Sequence, residues 1–285
     1  MLRHTFQMTP GIGPSREREL WKTGITSWDA FPLPALSMRP DWLSGGHEER
    51  ILSAIRRAES ALSEGSLSEL VRMFPAQTRW RLYRTLLSRA AFFDIETDGT
   101  NEATPTVVSI FSEVRGAELF IEGRNLSEVV PALASHPVWI TFGGVRCDEP
   151  WLRARFPALP RPAFHFDLCP FARSLGLKGG LKPLEERLGF GRPPHLKGVT
   201  GRDAIFLWAS WTRGKSRAAL QRLCEYNLYD AIQLRTLADI LFNRAVQALG
   251  LQADCQLFGQ KSPPSVPVFR REAVLPQVQR LVQSI

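Results

Sequence analysis

Cysteine is scarce in this chain: Cys147, Cys169, Cys224 and Cys255 are the four in 285 residues, and none forms a C-x-x-C pair. That scatter argues against a structural zinc site and suits a reducing compartment more than a disulfide framework. No run of about 18 apolar residues occurs, and no apolar h-region follows the N-terminus. A soluble, cytoplasmic protein without membrane association is therefore expected. Internal repeats and low-complexity tracts are absent as well, so neither a solenoid nor a fibrous or disordered chain is expected.

What is present is enough apolar material for a full core, 44% of the residues. The length suits one large domain and a smaller one. The formal net charge is +8 and the sequence pI about 9.8. A basic surface attracts polyanions, nucleic acid being the commonest. Charge of this kind gains meaning only beside a site able to process a phosphodiester.

Four stretches are distinguished along the chain: 1–40, 41–90, 91–245 and 246–285. The first holds a turn-to-helix signal, Pro10-Gly11-Ile12-Gly13-Pro14-Ser15, with Ser15 as N-cap or Pro14 in the first turn, and Gly24 at the C′ position. The second reads as helices, with Leu52, Ile55, Ala58 and Leu62 as one apolar stripe and Leu82, Leu86 and Leu87 as another after Pro75. Arg72, Arg79, Arg81, Arg84 and Arg89 decorate it. They either line a nucleic-acid path or form a solvated face.

At residue 90 the pattern turns to strands, 91–96, 106–114 and 118–121, with Arg115-Gly116 as a turn. Helix 125–135, strand 137–142, helix 148–155, strand 163–166 and helix 168–175 follow. Further helices are expected at 181–188, 202–212 and 216–243. Three antiparallel strands leading into parallel βα units is the order of an α/β, ribonuclease-H-like mixed sheet flanked by helices. The last stretch reads as a linker with Pro263, Pro264 and Pro267, then a weak amphipathic helix near 275–282.

Asp94 and Glu96 are two apart on a strand and so share a face. Their neighbours Phe92, Phe93 and Ile95 are apolar, which suggests a central strand. Two like charges there repel and lose hydration, and a bound cation removes both penalties. The plainer reading is an edge position where both acids meet solvent or arginine. Tyr226 and Asp230 are four apart on one helix face. Either Tyr226 orients a water and Asp230 binds metal, or Tyr226 packs and Asp230 pairs with Arg235 or stays solvated. Asp148 follows a strand end, as metal ligand or as helix N-cap. Asp167 is first an N-cap and second a neighbour of a metal.

Phe93-Asp94-Ile95-Glu96-Thr97 resembles the first motif of the DEDD 3′–5′ exonuclease superfamily, Asp148 falls where the second places its acid, and Tyr226–Asp230 is similar to the third in its tyrosine variant. Within that superfamily the chain looks like the YprB-like ribonuclease-H-like family. Further segments carry this likeness: His165-Phe166-Asp167-Leu168, Gly179 to Glu185, Leu188-Gly189, Gly201-Arg202-Asp203-Ala204 with Leu207-Trp208, Phe74-Pro75 and Trp80 to Tyr83. It covers most of residues 8–240. The resemblance implies Asp94, Glu96, Asp148 and Asp230 as ligands of two Mg²⁺ or Mn²⁺ ions, with Tyr226 positioning the water. The second motif departs from the pattern: Gly143 stands where Asn is usual and Cys147 where Phe is usual, which implies reduced or altered activity.

Gly11-Ile12-Gly13 with Leu20 and Gly24-Ile25 looks like the second half of a helix-hairpin-helix, whose glycine turn offers backbone N–H groups to a phosphate. The alternative is a plain capped helix. Thr97, Gly11, Gly13 and Arg16 are the expected nucleic-acid contacts. The expected activity is thus a metal-dependent nuclease on DNA or RNA, a 3′–5′ exonuclease with a two-metal mechanism. The alternative is a nucleic-acid-binding module with a weak or inactive site that serves a repair or helicase protein. A phosphatase acting on small molecules is a third reading.

Overall fold

The glycine-rich start leads into helix α1 (Pro14–Lys22), whose N-cap is Gly13 and whose first residue is Pro14. Proline suits that position because its missing N–H would have no helical partner. Ser15 therefore lies inside the helix and is not its cap. Gly24 ends it at φ 89° with its N–H on Trp21 O at 3.0 Å, the left-handed stop that glycine adopts without strain. Before α1 the chain forms only a 3₁₀ turn at Leu2–His4.

The computed structural model describes residues 1–31, 39–250 and 266–285. Helices α2 (Gly45–Ser63), α3 (Leu67–Met73) and α4 (Tyr83–Leu86) follow, with a 3₁₀ segment at Ala76–Leu82 after Pro75. The buried stripe of α2 is Ile51, Ile55, Ala58 and Ala61, one residue back from the expected stripe at both ends. Leu52 and Leu62 are partly exposed.

Arg81 corrects the reading of the arginines as a solvated face or nucleic-acid path. It is 3% exposed, and Glu17, on α1, is 1% exposed. Arg81 Nη1 donates to both Glu17 oxygens at 2.9 Å. The same carboxylate accepts from Thr5 Oγ1, the Phe6 N–H and Gln7 Nε2. Residues 1–40 and 41–86, read apart in the sequence, thus share one unit, Met1–Leu86 with Phe242–Val266.

The second unit comprises Leu87–Leu241 and Pro267–Ile285. Its strands are β1 (Ala90–Thr97), β2 (Pro105–Ser112), β3 (Gly116–Ile121), β4 (Val138–Thr141) and β5 (Phe164–Asp167). They form a mixed sheet in the order β3-β2-β1-β4-β5. β1 is antiparallel to β2 and parallel to β4, so it is the central strand where the sheet changes sense. β2 stops at Ser112, two residues short of expectation, because Glu113–Arg115 turn the chain into Gly116 at φ 73°.

The helices of this unit are α5 (Val129–Ala134), α6 (Asp148–Arg155), α7 (Leu168–Ser174), α8 (Leu181–Leu188), α9 (Gly201–Gly214), α10 (Arg217–Ala248, belonging here up to Leu241) and α11 (Leu275–Gln283). The expected helix at 125–135 is shorter, a 3₁₀ turn at Leu126–Glu128 and then α5. Alternation along β1 sends Ala91, Phe93 and Ile95 to one face, where they pack with Trp139, Val129, Leu133 and Leu152. Phe92, Asp94 and Glu96 take the other face, which α10 covers: Asn227 donates to Asp94, and the Arg235 guanidinium lies 5.9 Å from the Phe92 ring centre.

Pro263 and Pro264, expected as a linker, lie outside the described residues. Beyond Pro267 the expected amphipathic helix is α11, and it guards a sheet edge. Gln277 accepts from the Ala117 N–H at 2.9 Å and donates to Ala117 O at 3.0 Å, closing outward-facing groups of edge strand β3. No helix among the described residues is long and apolar enough to cross a membrane.

Glu17→Ala leaves a buried guanidinium without its partner. It should lower the unfolding free energy by about 3–5 kcal/mol, read by urea denaturation. A loss under about 1 kcal/mol would contradict a structural role for this pair.

Candidate metal centre

Carboxylate oxygens of Asp94, Glu96 and Asp230 lie within 4.8 Å of one another. Two come from alternate residues of β1 and the third from α10 packed across them. Burial pushes the Asp94 carboxyl well above the ordinary carboxylate range, and the charges of Asp230, Glu96 and Asp148 add to it. Glu96 is raised for the same leading reason, with Asp230 next. Three hard oxygen donors that repel one another in a poorly hydrated place suit a divalent cation such as Mg²⁺ or Mn²⁺. Asn227 Nδ2 donates to Asp94 Oδ2 at 2.8 Å and so orients the first of the three.

Asp148 stands outside this tight group but within reach of its field. Burial, then the charges of Asp167 and Asp230, lift its carboxyl from 3.8 to about 7. It is the first residue of α6, and Cys147 holds the cap position, so the N-cap reading of Asp148 does not hold. Asp148 folds back over the preceding loop instead. A Cβ on Gly144 would lie 2.7 Å from Asp148 Oδ2 and 2.5 Å from Thr141 Oγ1, so only glycine lets the loop pass.

The departure at Gly143 is mild for the backbone. Gly143 has φ 82°, a conformation that glycine and asparagine both adopt readily. Its N–H donates to Asp167 Oδ1 at 2.7 Å. Asp167 also accepts from the Cys169 N–H at 2.9 Å as the N-cap of α7. It ties the second-motif loop to the end of β5. Cys147, where the family pattern has Phe, is exposed.

A further network holds α6. His165 Nδ1 donates to Glu149 Oε2 at 2.7 Å, and His165 Nε2 lies 2.9 Å from Thr141 Oγ1. Arg153 Nε donates to Glu149 Oε1 at 2.8 Å. The bond from His165 leads the effects that hold Glu149 down at about 2. Glu149 is thus a fixed anion that seats the helix carrying Asp148.

Tyr226 is buried, one helical turn before Asp230 on α10. Its hydroxyl accepts from Lys182 Nζ on α8. Burial and then the charge of Asp230 raise the phenol above its ordinary range, so it stays protonated. Lys182 Nζ is also 4.0 Å from Asp230 Oδ2. Arg192 Nη2 donates to Asp230 Oδ1, and Arg192 is itself gripped by buried Glu185 through bonds of 2.8 and 2.9 Å. The expectation that Asp230 would pair with Arg235 or meet solvent is therefore corrected. Arg235 binds Glu113 and Asp239 instead.

Of the residues singled out in the sequence, Asp94, Glu96 and Asp230 come together, Tyr226 borders them and Asp148 stands behind them. Thr97 ends β1 after a register shift and is partly exposed. Gly11, Gly13 and Arg16 belong to the other unit, where Gly11 has φ 87° and its carbonyl accepts from Arg16 Nη1 at 3.0 Å. The sequence reading missed the roles of Asn227, Lys182, Glu185 and Arg192. The first three lay inside quoted motifs. Arg192 carried no signal, since it meets Asp230 across 38 residues only through the fold.

A family model described as the RNase H superfamily matches residues 91–242, more than half of the chain. The chain belongs to the RNase H superfamily. RNase H-like nucleases usually use divalent metals, and the cluster of Asp94, Glu96 and Asp230 could bind one. No curated protein matches the chain. Among solved structures, a family B DNA polymerase from the hyperthermophilic archaeon Pyrobaculum calidifontis is similar over 58% of this chain, at 16% identity and a TM-score of 0.41. The chain spans 26% of that polymerase.

Folding raises the Asp94, Glu96 and Asp148 carboxyls, so between about pH 4 and pH 7 the folded chain holds protons that the unfolded chain has released. Without metal, stability should fall as pH rises through that window. A divalent ion needs the ionised acids, so it should reverse the trend. The rise in Tm caused by Mn²⁺ over a chelator should be small at pH 5 and larger at pH 8. An equal rise at both would contradict this assignment.

Proposed function

We propose that this chain is a metal-dependent nuclease that hydrolyses phosphodiester bonds of DNA or RNA, acting as a 3′–5′ exonuclease. The observation that carries the reading is the meeting of Asp94, Glu96 and Asp230 around one point. The likeness of Phe93–Thr97 and Tyr226–Asp230 to the tyrosine variant of the DEDD motifs supports the polarity. Asp94, Glu96 and Asp230 would hold one Mg²⁺ or Mn²⁺, and Asp148 would help to hold a second. Ions bound there supply a polarised water and offset charge on the phosphoryl oxygens.

The chain's own groups do the rest. The Tyr226 oxygen accepts from Lys182, which leaves its O–H to donate, so Tyr226 would orient the attacking water. Lys182 places a positive charge where a phosphate would enter. Thr97, at the open end of β1, would touch the substrate backbone. The turn at Gly11 and Gly13 with Arg16, similar to half of a helix-hairpin-helix, would add a phosphate contact that does not read sequence.

One observation favours the second reading, a binding module with a weak site working beside a repair or helicase protein. Arg192 already neutralises Asp230 from within the fold. The two readings part in an Mn²⁺-dependent assay on end-labelled DNA and RNA, single- and double-stranded. The nuclease reading expects cleavage from the 3′ end, lowered on the order of 1,000-fold or more by Asp94→Asn or Asp230→Asn. Tight, salt-sensitive binding with no turnover would establish the binding module in its place. Cleavage left unchanged by both substitutions would remove the site assignment.

A further inference from the structure

Helix α9 buries a single residue, Ala204, across its 14 positions. Yet its sequence includes Ile205, Phe206, Leu207, Trp208 and Trp211. Ile205 packs against Gly99, just past β1: a Cβ there would lie 2.6 Å from Ile205 Cδ1. The helix therefore sits beside the end of the strand that carries Asp94 and Glu96. Trp211 is already engaged, with Arg124 and Lys215 5.5 and 5.9 Å from its ring centre. Phe206 is 63% exposed, the one aromatic among the exposed large apolar side chains of the described residues.

Phe206 lines a cavity of about 330 Å³ with Lys197, Val199, Leu207 and Arg222. Lys197, Gly198 and Val199 also line a neighbouring cavity of about 590 Å³, which reaches Lys182, Glu185 and Arg192. Lys182 and Arg192 are the two cations on Asp230. The two cavities thus share a wall, and together they run from the two cations that flank Asp230 to the exposed ring. Two acids along this path are occupied, Glu185 by Arg192 and Asp203 as the cap of α9 through Thr200, while the third, Glu186, is exposed at the far cavity, away from Phe206. Lys197 and Arg222 remain as positive charge beside Phe206.

We infer that α9 and the turn at 196–199 form a track for single-stranded nucleic acid, with Phe206 as a base-stacking surface and Lys197 and Arg222 as phosphate contacts. An open aromatic face flanked by cations fits an unpaired strand, whose bases expose their flat faces while its backbone supplies the negative charge. A duplex keeps its bases stacked on one another and gives the ring nothing to cover it. A purely apolar partner would leave the charge of Lys197 unmatched, whereas Arg222 already donates to His195 O at 3.1 Å and lies near Asp203. The inference rests on the nuclease reading and adds to it a preference for single strands at the point of entry.

The test uses the full chain carrying Asp94→Asn, with single-stranded oligonucleotides that place one 2-aminopurine at successive positions from the 3′ end. Binding should quench the probe at one or a few positions. Phe206→Ala should abolish that quenching and weaken single-strand binding about 10-fold or more. Duplex binding should stay unchanged, and Phe206→Trp should restore the quenching. Since Phe206 is exposed, circular dichroism should show the fold intact. Unchanged quenching and affinity in Phe206→Ala would overturn the track. So would a variant that loses only self-association in sedimentation, which would make the face a contact between copies. Absence of any nucleic-acid binding by the Asp94→Asn chain, single- or double-stranded, would instead remove the nuclease reading on which the track rests.

Discussion

Repulsion among carboxylates in a place with little water is the constraint around which the second unit is arranged. Asp94 and Glu96 point to one face because strand side chains alternate, and α10 brings Asp230 onto the same spot. Left bare, such a cluster disfavours its own ionisation, as the raised Asp94 and Glu96 carboxyls show. Much of the surrounding structure bears on that charge: Asn227 orients Asp94, Lys182 and Arg192 flank Asp230, and Glu185 fixes Arg192. The central position of β1 keeps the arrangement stiff, because its other face is locked into the core through Phe93 and Trp139.

The acids behind the triad are handled differently. Asp148 is raised to about 7, while Glu149 beside it is held near 2. Adjacent residues of similar chemistry are thus driven in opposite directions by their neighbours. Glu149 receives bonds from His165 and Arg153 and becomes a fixed anion. Asp148 faces Asp167 and Asp230, so its charge waits on a cation. Asp167 in turn collects the N–H groups of Gly143 and Cys169 and secures the loop beneath Asp148.

Much of this was legible in the chain. The change from helical spacing to short apolar runs near residue 90 located the sheet, and the β-β-β-α-β-α-β order fixed its mixed topology. Period-two spacing put Asp94 and Glu96 on one face, and four-residue spacing put Tyr226 and Asp230 on one turn. Where spacing failed, the physical reason is local. The stripe of α2 was read one residue off because Leu52 and Leu62 fit a helical period as well as Ile51 and Ala61 do. Arg81 resembled its exposed neighbours in sequence and became a buried partner of Glu17 only through packing.

The sequence by itself determined which acids share a face and in what order the strands come, because backbone geometry converts spacing directly into direction. Tertiary structure alone decided which charges meet across distance. Arg192 found Asp230 and Glu185, Arg235 turned to Glu113 and Asp239, and Asp148 settled outside the triad but within reach of the Asp230 charge. Such pairings depend on which loop passes over which helix. Charged side chains are long and chemically alike, so no local pattern says which of several arginines will arrive.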